Sequence, residues 1–381
     1  MRVAGEMRIP SSTSRLRALG AMAVLGLIVS MQSAAADVLI GLGGPMTGDN
    51  ATIGNQMRTG VEAAIEDINS HGGVLGGKLT LVVEDDACDA KLAVPVANKL
   101  IAEKVDFLVG HFCSAVTVPA SSIYADNGTV EITLSSNPRI TEQGFDGLFR
   151  IAGRDDRQSK VLADFIAKHH AGKRVALVAD RSAYAVGLAA GLRNLLKQQG
   201  KVTIALDQSV DAGTKDFSAL VSSFTSAKAE IVVYIGYPTE AGLIMRQAAD
   251  AGVKAEYIST NNMSNHRVWD LAGKSAEGLA FTFLPAAELL PTAQDVVERL
   301  KAKGKKADGY TLYAYASVQL FAAAMVRANS AHTDAVAAEL QKGGIPTVLG
   351  EVSFDEKGDN LLPSWRIYRW NDGAYAYYPG E

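Results

Sequence analysis

Cys88 and Cys113 are the only two cysteines among 381 residues. Each follows an apolar run that reads as a strand, "LTLVVED" before Cys88 and "VDFLVGH" before Cys113, and the amphipathic "KLAVPVANKLIAEK" lies between them. Two thiols at the ends of successive strands suit either a redox or catalytic pair or one structural disulfide, and the compartment decides between these.

Other groups that could do chemistry carry weaker signals. "GLGGPMTG" (41–48) stands after a strand and before a helix, where a dinucleotide fingerprint belongs, but the third Gly of G-x-G-x-x-G falls on Met46. Candidate ribose-binding acids, Asp85 and Asp86, come about 40 residues on, where about 20 is expected. Asp85, Asp86 and Asp89 lack the Gly and terminal Glu of a calcium loop and read as a solvated strand end. The six histidines are scattered, and His169 and His170 point in different directions on a helix, so no metal is expected. Ser114 and Ser182 lack a G-x-S-x-G elbow. Neither an enzyme nor a cofactor is indicated.

The N-terminus supplies the compartment. Arg2, Arg8, Arg15 and Arg17 precede "LGAMAVLGLIVSM" and then "QSAAADV", the order of a secretory signal, with cleavage near Ala36 and a mature start at Asp37. A signal-anchor is the alternative. The apolar run is short for a span, and no later stretch approaches ~20 apolar residues. Export to oxidising conditions makes a Cys88–Cys113 disulfide the default and free thiols the alternative. Removing residues 1–36 takes four arginines and Glu6 from the 37 basic and 41 acidic residues, leaving 33 and 40. That acidic balance argues against nucleic acid or an anionic membrane as partner.

Positioning these groups requires many elements. Runs at 38–43, 79–85, 106–111, 129–134, 174–180, 202–208, 230–236, 255–260 and 279–285 read as strands. Most are separated by segments with apolar spacing of three and four, such as Val61, Ala64, Ile65 and Ile68. Alternation of this kind predicts parallel sheets covered by helices on both faces, with the ligand site at the carboxyl ends of the strands. A glycine and a charge-rich turn in "LFRIAGRDDRQS" (148–159) break the pattern after four strand units, and "RIYRWNDGAYAYYP" reads as a terminal hairpin. The length past residue 36 exceeds what one core usually serves, so two lobes are expected, with a cleft for a small polar molecule between them.

"EDDACDAKLAVPVANKLI", "VGHFCSAVTVPAS", "GTKDFSALV", "IGYPTEAGLIMRQAADAG" and "FDEKGD" resemble segments of the periplasmic leucine/isoleucine/valine-binding proteins, type I receptors of branched-chain amino acid ABC importers. The resemblance runs from about Val38 to about Asp359 in one order. It implies an α/β fold of two Rossmann-like lobes joined by three crossovers, near Ala152–Asp155, Phe283–Pro285 and Asp355–Asn360, with ligand in the interlobe cleft. The N-terminal lobe is then 37–153 plus 286–356, and the C-terminal lobe 154–285 plus 357–381. The family's single disulfide matches Cys88 and Cys113. The implied protein is a periplasmic monomer that captures a small carboxylate-bearing ligand, an aliphatic amino acid in the family, and delivers it to an inner-membrane ABC permease. A sensory ligand-binding module is the other role the fold permits.

Site residues carry over one by one. Ser114 is to offer its hydroxyl and N–H to the ligand carboxylate. Ser135 supplies backbone contact, and Asn137 stands where the family has Thr. Tyr184 and Tyr237 close over the ligand from the second lobe, and Phe112 and Tyr310 line the side-chain pocket. Two positions depart from the family. Ile53 replaces an aromatic, and Asn261 replaces the acid that pairs with the ligand's ammonium. From Tyr257 to Trp269 there is no carboxylate at all. The departure points to weaker amino-acid binding, or to a hydroxy acid, keto acid, amide or aromatic acid as ligand.

Overall fold

The computed structural model describes Met1, residues 37–362 and residues 365–380. The expected signal segment lies, beyond Met1, outside the described residues. Among the described residues fourteen strands are formed: β1 (Val38–Gly44), β2 (Leu79–Asp85), β3 (Phe107–Val109), β4 (Val130–Thr133), β5 (Leu148–Arg150), β6 (Arg174–Asp180), β7 (Thr203–Val210), β8 (Ile231–Ile235), β9 (Glu256–Ser259), β10 (Ala280–Phe283), β11 (Ile345–Thr347), β12 (Gly350–Val352), β13 (Arg366–Asn371) and β14 (Ala374–Tyr377). The helices are α1 (Ala51–Ser70), α2 (Ala93–Ala102), α3 (Ser114–Asn127), α4 (Asp155–His169), α5 (Ala183–Gln199), α6 (Ser218–Ser226), α7 (Pro238–Asp250), α8 (Arg267–Ala272), α9 (Gln294–Ala302), α10 (Thr311–Ala328) and α11 (Thr333–Lys342).

The first sheet has the order β2-β1-β3-β4-β5, all parallel. A second sheet has the order β14-β13-β10-β9-β8-β6-β7, parallel except where β13 runs against β10 and turns through Asp372-Gly373 into β14. The chain passes between the sheets three times, after β5, after β10 and between β12 and β13. On the last pass Gly358 O accepts from Arg150 N–H (2.8 Å) and Asn360 N–H donates to Arg150 O (3.1 Å), so the segment runs beside β5.

Strands covered by helices on both faces must be apolar at every position, which is why these were legible. Ile231, Val232, Val233 and Ile235 of β8 are wholly buried, each worth roughly 1.5–3 kcal/mol of side-chain burial. Helix α10 follows the parallel strands of the second sheet in sequence yet packs on the first, through α1 and the Phe107–Phe321 ring contact at 5.4 Å. The α1–α10 approach is close enough that a Cβ at Gly60 would lie 2.0 Å from Thr311 O. Strand β5, read from sequence as the start of a break, has only three residues and takes its pairing from β4 and the returning 358–360 segment.

Three carboxylates beside the first sheet, two of them read from sequence as a solvated strand end, have enclosed or hydrogen-bonded placements. Asp85 accepts from the N–H groups of Met46 (2.8 Å), Thr47 (3.3 Å) and Ala87 (2.8 Å) and from the Thr47 hydroxyl (2.5 Å). A side chain thus occupies the N–H donors of the loop after β1. Asp86, expected at a solvated strand end, is fully buried, with Oδ2 2.7 Å from His111 Nδ1, and His111 Nε2 lies 2.9 Å from the Tyr124 hydroxyl. The third is Glu131 of β4, 1% exposed. Its neighbours give it no hydrogen bond of good geometry, since the Ser121 hydroxyl donates to Thr117 O instead.

Burial pushes the Glu131 carboxyl from 4.5 up to about 8. In the unfolded chain it ionises near its ordinary value, so between about pH 4.5 and pH 8 the unfolded state binds fewer protons than the folded one, and stability falls as pH rises through that window. Glu131→Gln is expected to flatten this part of the melting-temperature profile. An identical slope in the variant would show that the carboxyl ionises freely in the fold.

Candidate functional site

Loops after β3, β4, β6, β8 and β9 meet between the two sheets. Helix α3 begins at Ser114, just past Cys113, which is bonded to Cys88 (Cα–Cα 5.4 Å). The disulfide ties the start of α3 to the turn after β2, where Ala87 and Cys88 have φ of 46° and 60° and their N–H groups donate to Asp85 and Asp86 at 2.8 Å. Those two local acceptors hold a backbone shape that side chains otherwise disfavour. A helix start leaves N–H donors without intrahelical partners, and Ser114 presents such a start to the space between the sheets.

Phe112, Ser114, Ser136, Tyr184, Tyr237, Asn261 and Asn262 line a cavity of about 10 Å³, room for about one water molecule. Five of the eight expected ligand residues therefore converge. Tyr310 stands behind them, with its ring 5.0 Å edge-on to Phe112 and its hydroxyl 2.8 Å from Asn261 Nδ2. The Tyr184 hydroxyl lies 2.6 Å from Thr260 Oγ1 and 2.8 Å from Asn261 Oδ1. At position 261, where the resemblance places an acid and this chain has Asn, the amide is met by neutral phenols. Burial raises the phenol pKa of Tyr184, Tyr237 and Tyr310, so all three stay neutral.

Ser135 and Asn137 sit one layer out. Ser135 Oγ donates to Phe112 O (2.5 Å), and its carbonyl accepts from Arg150 Nη1 (2.8 Å). Asn137 Nδ2 donates across the cleft to Ala183 O (2.9 Å), linking the loop after β4 to the start of α5. Ile53, on α1, is buried in the hydrophobic core.

Ser136, Asn262, Asp155 and Gln158 escaped the sequence reading. Ser136 was flanked by two nominated residues, so its place was within reach. Asp155 and Gln158 belong to "GRDDRQS", which composition marks as a charge-rich turn. In the fold Asp155 is 1% exposed, and burial pushes its carboxyl up to about 7. Gln158 is wholly buried beside it.

Arg150, also fully buried, organises the base of the site. Its Nε donates to Asp359 Oδ1 (2.6 Å), Nη1 to the carbonyls of Ser135 (2.8 Å) and Asn137 (3.0 Å), and Nη2 to Thr141 Oγ1 (2.8 Å). Arg154 Nη1 takes the other Asp359 oxygen at 2.6 Å. Among the described residues, no three His, Cys, Asp or Glu side chains are grouped as metal ligands.

Residues 37–374 match the family described as periplasmic binding protein. The chain is 41% identical over 359 residues to Leu/Ile/Val-binding protein homolog 1 of Brucella melitensis, covering 94% of this chain and 96% of that one. Among solved structures, the leucine-binding protein of Thermotoga maritima superposes with a TM-score of 0.83 at 27% identity, over 90% of this chain and 97% of that one. The branched-chain amino acid transporter substrate-binding protein of Streptococcus pneumoniae, in complex with isoleucine, gives 0.81 at 25%, over 89% and 97%.

Proposed function

Because the chain belongs to the periplasmic binding protein family, we propose that it is the solute receptor of a branched-chain-amino-acid-type ABC importer, capturing an aliphatic amino acid by closure of its two lobes. The observation that carries this reading is the convergence of Ser114, at the start of a helix in one lobe, with Tyr184 and Tyr237 of the other, around a cavity that closes to about 10 Å³. Such a space takes an amino acid only when the lobes part, and they can then close over it, exclude water and strengthen each polar contact.

Within this reading the lobes are 37–153 plus 286–356 and 154–285 plus 357–381. Ser114 holds the ligand carboxylate, Ser136 and Ser135 flank it, and Tyr184, Tyr237, Phe112 and Tyr310 enclose the side chain. Residues 1–36 act as an export signal cleaved near Ala36, and the working form is a monomer that docks on an inner-membrane permease. Recognition uses fixed donors and phenols, with no covalent or redox step.

One observation favours a second ligand class. Asn261 is satisfied by hydroxyls, which suits a hydroxy acid or keto acid in place of an ammonium. Thermal unfolding against leucine, isoleucine, valine and their 2-oxo acids separates the two. A bound ligand at 100 times its Kd stabilises by about 2.7 kcal/mol, so a rise in melting temperature of several degrees with the amino acids is expected. Stabilisation by the 2-oxo acids alone would move the assignment to the second class, and no response to either would refute the proposal.

A further inference from the structure

An amino acid brings an ammonium into this site, and a buried ammonium without a carboxylate is costly. No residue lining the cavity carries one. A carboxylate nevertheless stands directly behind that lining. Asp155 opens α4 on the first pass between the lobes, and its N–H donates to the carbonyl of Ser136, which lines the cavity (2.9 Å). Gln158, one turn on, completes its hydrogen bonds when its nitrogen donates to Asp155 Oδ1 (2.9 Å) while its oxygen accepts from Thr282 Oγ1 (2.7 Å) and the Asn261 N–H (3.2 Å). Asp155 Oδ2 is enclosed and makes no hydrogen bond of good geometry, the Ser136 side chain that lines the cavity being the neighbour that favours its charged form.

The nearby cations do not account for that oxygen. Arg150 directs its donors to Asp359, Thr141 and two carbonyls, and Arg154 directs its own to Asp359, Asp156, Glu142 and Thr141. A helix N-terminus favours acidic residues, but Asp156, with a side chain 54% exposed, meets that need without burial. The charge of Asp155 is felt by the phenols of Tyr184, Tyr237 and Tyr310, which stand at the starts of α5, α7 and α10.

We infer that Asp155 supplies the negative charge for the ligand's ammonium, with Oδ2 facing it and Gln158 holding Oδ1, so that the counter-charge comes from the crossover helix and not from position 261. This inference rests on the amino-acid reading above. It accounts for a buried acid with one oxygen that makes no hydrogen bond of good geometry and for the tolerance of Asn at 261 together.

Calorimetry on full-length exported protein tests it with leucine and its 2-oxo acid. Asp155→Asn keeps shape and removes charge. It is expected to weaken leucine roughly tenfold to a hundredfold, the worth of a charge-assisted hydrogen bond, while leaving the 2-oxo acid unchanged or tighter. Adding Asn261→Asp to that variant is expected to recover most of the leucine affinity. In the parent protein Asn261→Asp is expected to change leucine binding less than about threefold, because the charge is already present; this variant also serves if Asp155→Asn does not fold. Equal loss of both ligands in Asp155→Asn, or a gain of tenfold or more from Asn261→Asp alone, would overturn the role. Binding of the 2-oxo acid but not of leucine by the parent protein would refute the amino-acid reading, and this role with it.

Discussion

Asp359→Ala is expected to lower the unfolding free energy by about 3–5 kcal/mol, the cost of leaving a buried charge without its partner. Arg150 is fully buried and its Nε lies 2.6 Å from Asp359 Oδ1. Burial by itself would raise the Asp359 carboxyl, but the guanidinium groups of Arg150 and Arg154 hold it below its ordinary 3.8. Its contribution to stability is therefore fully present above that value and is lost as pH falls through the lower folded-state pKa. Asp359→Asn retains an acceptor and should cost less than the alanine. Because Arg150 also donates to the carbonyls of Ser135 and Asn137, the loop carrying Ser136 should loosen and ligand affinity should fall with stability. Denaturant unfolding of the three proteins checks this, and a loss under about 1 kcal/mol for the alanine variant would show that the pair is not the buried anchor described.

Replacing both cysteines, Cys88→Ser with Cys113→Ser, is expected to cost roughly 3 kcal/mol on the loop-closure argument, for a sequence separation of 25. The bond joins the left-handed turn at Ala87 and Cys88 to the start of α3, where Cys113 is buried in the core and Cys88 packs against it. The Asp86–His111 contact at 2.7 Å remains in the variant, so the fold should survive while Phe112 and Ser114 become less fixed. Denaturant midpoints with and without reductant measure the effect. Two titratable thiols in folded, exported protein, or a change below about 0.5 kcal/mol, would remove the disulfide from the account.

By itself, the sequence determined the class of fold and most of its elements. Strands such as "IVVYI" are apolar at every position because a parallel sheet is buried on both faces, and the Asn-Asp-Gly of the terminal hairpin marks its turn. The cysteine positions and the order of quoted segments pointed to the receptor family, and with it to Ser114, Tyr184, Tyr237 and Asn261. What only the tertiary structure decided was the environment of the charges. "EDDACD" read as a solvated strand end and "GRDDRQS" as a charge-rich turn because composition cannot distinguish an acid in water from one enclosed by partners distant in sequence. Asp86 is buried by His111, 25 residues on, and Arg150 is matched by Asp359, 209 residues on. Tyr310 meets Asn261 across 49 residues, and Asp155 lies behind them because the crossover brings α4 beneath the loops after β4 and β9. Periodicity records which face of an element is buried. Which buried charge meets which partner is set by chain crossings that leave no local mark in the sequence.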